Sequence, residues 1–208
     1  MSRHIIALFI IMALASFLGF WVENIWLSFT KGYMDNRNMH LPFLLGYGLT
    51  VFAIYFLFGT PEAPKFLGFD LVLENKKFTE VVYFIIVFVC ISVGEWMLGT
   101  IVEKKCGIIW WDYTKLPLHI TKYTSIPTSI AFTFMVIIFM NVFFVPVYNS
   151  LMMYKSSVLL IIACILMLAM VIDFMYSAVW MMKKRELLNL WKINTRENIK
   201  RILSFPNI

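Results

Sequence analysis

Five long apolar runs constrain this chain more than any other feature of its sequence. They cover residues 5–29, 43–59, 79–102, 126–148 and 157–182. A helix rising about 1.5 Å per residue needs about 20 residues to cross about 30 Å of hydrocarbon, so each run is close to the length of one membrane crossing. The second is the shortest and is interrupted by Gly46 and Gly48. Composition points the same way: 61% of the 208 residues are hydrophobic and 14% are charged. Soluble domains carry roughly a quarter charged residues, and a water-soluble globule could not hide this much apolar surface. The expectation is an all-α integral membrane protein with about five transmembrane helices, forming one bundle over residues 1–182, followed by a cytoplasmic tail at 183–208. Near the start, Arg3 and the Ala13-Leu14-Ala15 triplet imitate a cleavable signal. The apolar run continues to Phe29, longer than a signal core, so the segment reads as a retained helix.

The net charge of +6 is distributed unevenly. With five crossings, one face holds Arg3, Lys65, Lys76, Lys77 and Lys155. The other face, made of loops 30–42 and 103–125 and the tail, holds all the remaining lysines and arginines. Positive charge collects on the cytoplasmic side, which predicts the N-terminus outside and the C-terminus in the cytoplasm of a cell membrane. Trp21, Trp26, Trp96, Trp110, Trp111, Trp180 and Trp191 fall at that same side and read as an interfacial belt. Residues 183–203 mix basic residues with Leu187, Leu190, Trp191, Ile199 and Ile202, which predicts a basic amphipathic helix lying on anionic membrane lipid. Positive charge placed in this way gives no reason to expect a nucleic-acid partner. Cys90, Cys106 and Cys164 have no paired spacing, and His4, His40 and His119 are far apart, so neither a metal nor another cofactor is expected.

Gly19-Phe20-Trp21-Val22-Glu23 closes the first run, and Gly99-Thr100-Ile101-Val102-Glu103 closes the third. Each is followed by a polar loop with an aspartate and a Leu-Pro: Asp35 with Leu41-Pro42, and Asp112 with Leu116-Pro117. This predicts two helix pairs related as a parallel pseudo-repeat, with a fifth helix added. Glu23, Glu95, Glu103 and Asp173 are acidic residues in or near the spans. A charge at the bilayer centre costs roughly 2.5–3.5 kcal/mol, so such groups face a partner, a cavity or a substrate. Glu95 and Glu103 fall about 80° apart on their helix and share one broad face. Arg37, Lys104, Lys105 and Lys122 are the candidate counter-charges. The twin motifs are expected to bring their carboxylates into one pocket opening towards the cytoplasm, and Asp173 is expected to make an interhelical hydrogen bond.

At these residues the sequence resembles the bacterial family named "putative ABC-transporter permeases" of the CmpB type, small polytopic proteins with animal relatives. The first signature appears as Gly19-Phe20, Glu23, Asn36-Arg37-Asn38, Pro42 and Tyr47-Gly48. The second appears as Glu95, Gly99, Val102-Glu103-Lys104, Trp110-Trp111-Asp112-Tyr113-Thr114 and Pro117-Leu118-His119. The match covers about residues 10 to 145. Phe20 stands where the family has Trp, Asn38 and Leu41 where it has Gly, Leu45 where it has Pro, and His119 where it has Asn.

The resemblance implies a membrane transport component, permease-like, with a site near the cytoplasmic side. The residues it points to are Glu23, Asn36, Arg37, Glu95, Glu103, Trp111, Asp112, Tyr113 and His119, contacting a polar or cationic substrate or relaying protons. The chain has no Gly-x-x-x-x-Gly-Lys-Ser/Thr phosphate loop, so ATP hydrolysis would fall to a separate ATPase subunit. A bundle this small suggests a homo-oligomer or other partners. Two alternatives stay open. One is an intramembrane enzyme acting on a lipid or prenyl chain, with Glu23 or Glu103 as general acid or base and Asp112 or His119 as its partner. The other is a non-catalytic membrane partner protein whose carboxylates only brace the bundle.

Overall fold

The computed structural model describes residues 3–71, 75–154 and 157–196. Helix α1 spans Arg3–Thr30, α2 Leu45–Phe58, α3 Lys76–Cys106, α4 Ile126–Met153 and α5 Ser157–Lys184. Four of these, α1, α3, α4 and α5, are long and apolar enough to cross a membrane, while α2 is a shorter apolar helix. Short antiparallel ribbons join them: β1 (Tyr33–Asp35) pairs with β6 (Lys192–Asn194), β2 (Lys65–Phe66) with β3 (Phe69–Asp70), and β4 (His119–Thr121) with β5 (Thr124–Ser125).

The core lies where the first four helices meet. Ile11 and Ala15 of α1, Val51 and Ile54 of α2, Tyr83, Val87 and Ile91 of α3, and Met140 and Phe144 of α4 form one buried cluster. The fifth helix packs from the side, with Met170 against Ala13 and Leu45. The outer surface is apolar: Phe56, Ile85, Ile138, Ile165 and Leu168 are all exposed, as suits helices surrounded by lipid rather than water. Inside α4, residues Met140–Phe144 form a π-helical turn in which the Val145 N–H bonds the Met140 carbonyl. Pro146 follows directly. Its ring cannot donate and would crowd an ordinary α-helical turn, and the wider turn makes room for it.

The second apolar run forms a helix of 14 residues, shorter than the other four. At about 1.5 Å per residue it covers only about 21 Å. The segment before it doubles back along α1. The Asp35 N–H bonds Asn24 Oδ1 at 2.8 Å, and further on the Leu44 N–H bonds the Ser16 carbonyl at 2.9 Å. Non-helical backbone packed against an apolar helix must have its polar groups satisfied by protein. Asn24, wholly buried, serves one end of the segment. Asp173 on α5 serves the other, accepting the N–H groups of His40 at 2.9 Å and Leu41 at 2.8 Å. Asp173 therefore holds a loop, not the neighbouring helix expected from the sequence.

The amphipathic helix expected over 183–203 is not what the described part of the tail forms. Arg185, at φ 58, ends α5, and residues 192–194 make the strand β6. The tail's backbone is bonded sideways to the first loop instead of along itself. Asn36 Nδ2 donates to the Leu188 carbonyl at 3.0 Å, the Leu190 N–H donates to Asn36 Oδ1 at 3.0 Å, and the Leu188 N–H donates to Asn38 Oδ1 at 2.6 Å. Ile199 and Ile202, with the rest of 197–208, lie outside the described residues. The first loop, the tail and loop 107–125 gather at one end of the bundle, where Met181 meets Val102, Cys106, Ile108 and Trp110. Trp110 is thus packed inside this end, not set on an outer belt, whereas Trp21, Trp26 and Trp96 are exposed.

Candidate functional site

Two glycine-to-glutamate turns at this end of the bundle are built alike. A Cβ on Gly19 would overlap the ring of Tyr47, and a Cβ on Gly99 would overlap the ring of Tyr123. In each case the tyrosine runs over the bare glycine and reaches the glutamate one turn on. Tyr47 donates to Glu23 Oε1 at 2.7 Å, and Tyr123 donates to Glu103 Oε2 at 2.6 Å. A basic residue from the following loop completes each clasp: Arg37 Nη2 pairs with Glu23 Oε2 at 3.1 Å, and Lys122 Nζ pairs with Glu103 Oε1. Only glycine leaves room for this approach, because a side chain would hold the ring away from the helix.

The two carboxylates then differ in their company. Glu23 belongs to a cluster with Arg37, Tyr47, Glu95 and Tyr113. The phenol of Tyr113 and the Glu95 carboxyl act on each other electrostatically, and Glu23 acts on both through its charge. Ser129, fully buried on α4, donates to Glu95 Oε2 at 3.1 Å. Glu103 is engaged by Lys122 and Tyr123, and Trp111 braces that second clasp, its Nε1 donating to the Tyr123 carbonyl at 3.0 Å. The structure brings Glu23 together with Glu95, while the partners of Glu103 come from its own loop.

Backbone conformation aims Arg37. Arg37 and Asn38 both have positive φ, at 50 and 65. Asparagine is among the few residues that visit this region readily, which accounts for Asn38 standing where the family signature has Gly. Arginine does so with strain. Asp35 Oδ1 helps hold it there, accepting the Arg37 N–H at 2.9 Å and lying 3.7 Å from Nη1. Strained residues that persist are held by their surroundings and are common at sites that bind or react.

Asn36, Asp112 and His119, also singled out from the sequence, stand apart from this cluster. Asn36 is buried and ties the first loop to the tail. Asp112 is exposed, and its Oδ1 caps the turn by accepting the Thr114 N–H at 2.8 Å, a bond that lowers its pKa. His119 is exposed, and its Nδ1 lies 3.2 Å from the Leu116 carbonyl. Tyr113 is half-buried; burial first, and then the Glu95 charge, raise its pKa, so its hydroxyl stays a donor. Sequence reasoning passed over Tyr47, Tyr123 and Ser129. The signal for Tyr47 lay in the Tyr47-Gly48 pair, which was noted as a motif but not as a ligand. Ser129 gives no signal beyond a small hydroxyl in an apolar run. Among the described residues, no group of three or more His, Cys, Asp and Glu could hold a metal ion.

A family model described as "Putative ABC-transporter type IV" matches residues 8–178. No curated protein matches, and no solved structure matches.

Proposed function

We propose, from the premise that this chain belongs to the "Putative ABC-transporter type IV" family, that it is the membrane-spanning component of a transporter. Its substrate or coupling site would be the cluster of Glu23, Arg37, Tyr47, Glu95, Tyr113 and Ser129. One observation carries the reading. Glu95 lies within a helix suited to crossing a membrane, yet it is met by the Ser129 hydroxyl and has no ion-pair partner among the described residues. Structural carboxylates in such positions are paired, as Glu23 is with Arg37 and Glu103 with Lys122. A carboxyl held by a neutral donor beside an ion pair can take up a proton or a cationic group and release it again.

The twin tyrosine clasps support a parallel pseudo-repeat of α1–α2 and α3–α4, with the site on the face between them. The basic residues of the first loop, second loop and tail support a cytoplasmic location for this end, in a cell membrane with the N-terminus outside. Energy from ATP would come from a separate ATPase subunit, and the chain would work as a homo-oligomer or with such a partner. In this reading Glu103, Trp111 and Lys122 brace the second clasp, while Asn36 positions the loop that carries Arg37.

The test is flux through the purified chain in liposomes loaded with a pH-sensitive dye, with and without co-expressed ATPase partners recovered on a tagged chain. Glu95→Gln is expected to abolish proton or solute flux while the protein still inserts. Lys122→Met is expected to lower stability and leave flux per folded molecule unchanged. Unchanged flux in Glu95→Gln would overturn the assignment, and the appearance of a chemically altered lipid would favour an intramembrane enzyme instead.

A further inference from the structure

A second polar site lies between the first loop and α5. A cavity of about 350 Å³ is lined by His40, Leu41, Ala169, Ile172, Asp173 and Tyr176. Its mouth is part of the outer surface, since Ile172 and Tyr176 are exposed and their neighbours Leu168 and Met175 are as well. The helix carrying it is suited by length and composition to crossing a membrane, so whatever enters comes from the lipid.

The floor of this apolar cavity is polar in a defined way. Asp173 is buried and accepts three bonds, from the His40 N–H at 2.9 Å, the Leu41 N–H at 2.8 Å and His40 Nδ1 at 3.1 Å. Three donors facing one carboxylate mark it as the acceptor, so Nδ1 carries a proton. In the neutral imidazole this leaves Nε2 as the nitrogen with the free lone pair. The ring is held edge-on to Tyr176 at 4.7 Å and is itself exposed where it lines the cavity. Among the described residues Nε2 has no hydrogen-bond partner, and the ring that carries it lines the apolar hollow.

We infer that this cavity binds an apolar lipid whose polar head is a hydroxyl, with the hydroxyl donating to His40 Nε2 and the chain lying over Leu41, Ala169 and Ile172. Depth decides against a charged headgroup. Asp173 stands eleven residues before Lys184, about 16 Å along the helix from the end where the basic residues gather. A phosphate or ammonium drawn that far in would lose its hydration, and the one carboxylate there, Asp173, already has its oxygens engaged by three donors. A hydroxyl loses little, and the lone pair on Nε2 replaces its water.

The experiment uses the full chain in lipid nanodiscs with hexadecanol carrying a mid-chain diazirine as the photoprobe. Unlabelled hexadecanol and its methyl ether, which has no donor, serve as competitors. Labelling is expected on the α5 segment 166–176, displaced by the alcohol and not by the ether. His40→Phe keeps the ring and removes the acceptor, and is expected to weaken labelling by about tenfold, the equivalent of one lost hydrogen bond. Ala169→Phe fills the hollow and leaves the bonds of Asp173 intact, so its loss of labelling does not depend on a disturbed loop. Competition by the ether equal to that by the alcohol, or labelling that survives Ala169→Phe, overturns the inference. Neither result bears on flux through Glu95.

Discussion

The ring of Tyr47 occupies the space that a side chain on Gly19 would need, and from there its hydroxyl reaches Glu23 at 2.7 Å. The same overlap between Tyr123 and Gly99 makes both glycines sites where a single methyl group should be costly. Gly19→Ala and Gly99→Ala are each expected to lower stability by about 1–3 kcal/mol, the usual cost of overpacking a close contact. The ordinary gain in helix propensity from Gly to Ala should not appear. Thermal unfolding in detergent, followed by intrinsic fluorescence, measures this. Combining Gly19→Ala with Tyr47→Ala should recover part of the loss, because the clash goes with the ring.

The second clasp should fail on the alkaline side. Its hydrogen bond to Glu103 holds the Lys122 ammonium above its ordinary value of 10.5. Burial first, and then the bond to Glu103, raise the Tyr123 phenol above 10.0. Both groups are bound more tightly as their protonated forms in the folded chain. Their contribution is therefore fully present below about pH 10 and is lost as the pH climbs through the raised values. Between about pH 9 and about pH 12 the melting temperature of the wild type should fall more steeply than that of Lys122→Met combined with Tyr123→Phe. Parallel curves for the two proteins would show that the clasp does not titrate.

Much of this architecture was legible from the spacing of apolar residues, because a long helix suited to lipid announces itself in its own composition. Arg37 and Lys122 were likewise readable as counter-charges, since a carboxylate near a span must be answered from a nearby loop. What escaped were features made by backbone that leaves its expected path. Residues 33–44 double back beside α1, a course set by Asn24 and Asp173, which are distant in sequence and carry no local signature. That is why α2 is short, and why Asp173 meets a loop. The tail misled for a related reason: its helical pattern of apolar and basic residues is real, but Asn36 and Asn38 offer its backbone partners that a helix would have had to forgo. Ser129 was invisible because a serine in an apolar run looks the same whether or not a carboxyl lies opposite.

Position 38 tests whether the first loop depends on its backbone conformation. At φ 65, Asn38 is replaceable by Gly without conformational strain, at the loss of its bond to the Leu188 N–H. Asn38→Val loses that bond and also meets the left-handed penalty of roughly 1–2 kcal/mol, which β-branching makes worse. The order of stability should be wild type, then Asn38→Gly, then Asn38→Val. A Val variant as stable as the Gly variant would mean the loop adopts another course.

Asn36 joins the same loop to the tail, and removing its amide should free the tail before it unfolds anything else. The side chain is 2% exposed and makes bonds to the Met39 carbonyl at 2.9 Å, the Leu188 carbonyl at 3.0 Å and the Leu190 N–H at 3.0 Å. Asn36→Ala leaves those backbone groups unpaired at a cost of roughly 1–3 kcal/mol. They can recover it by turning to water if the segment beyond α5 lifts away. The three β1–β6 pairs alone make too short a ribbon to hold it, since an isolated two-stranded pairing is marginal in water. Trypsin should then cut after Arg185 and Lys192 several times faster in Asn36→Ala than in the wild type, with the helical bundle left intact on a gel. Cleavage at the wild-type rate would mean that Leu188, buried at 5% exposure, anchors the tail by packing alone.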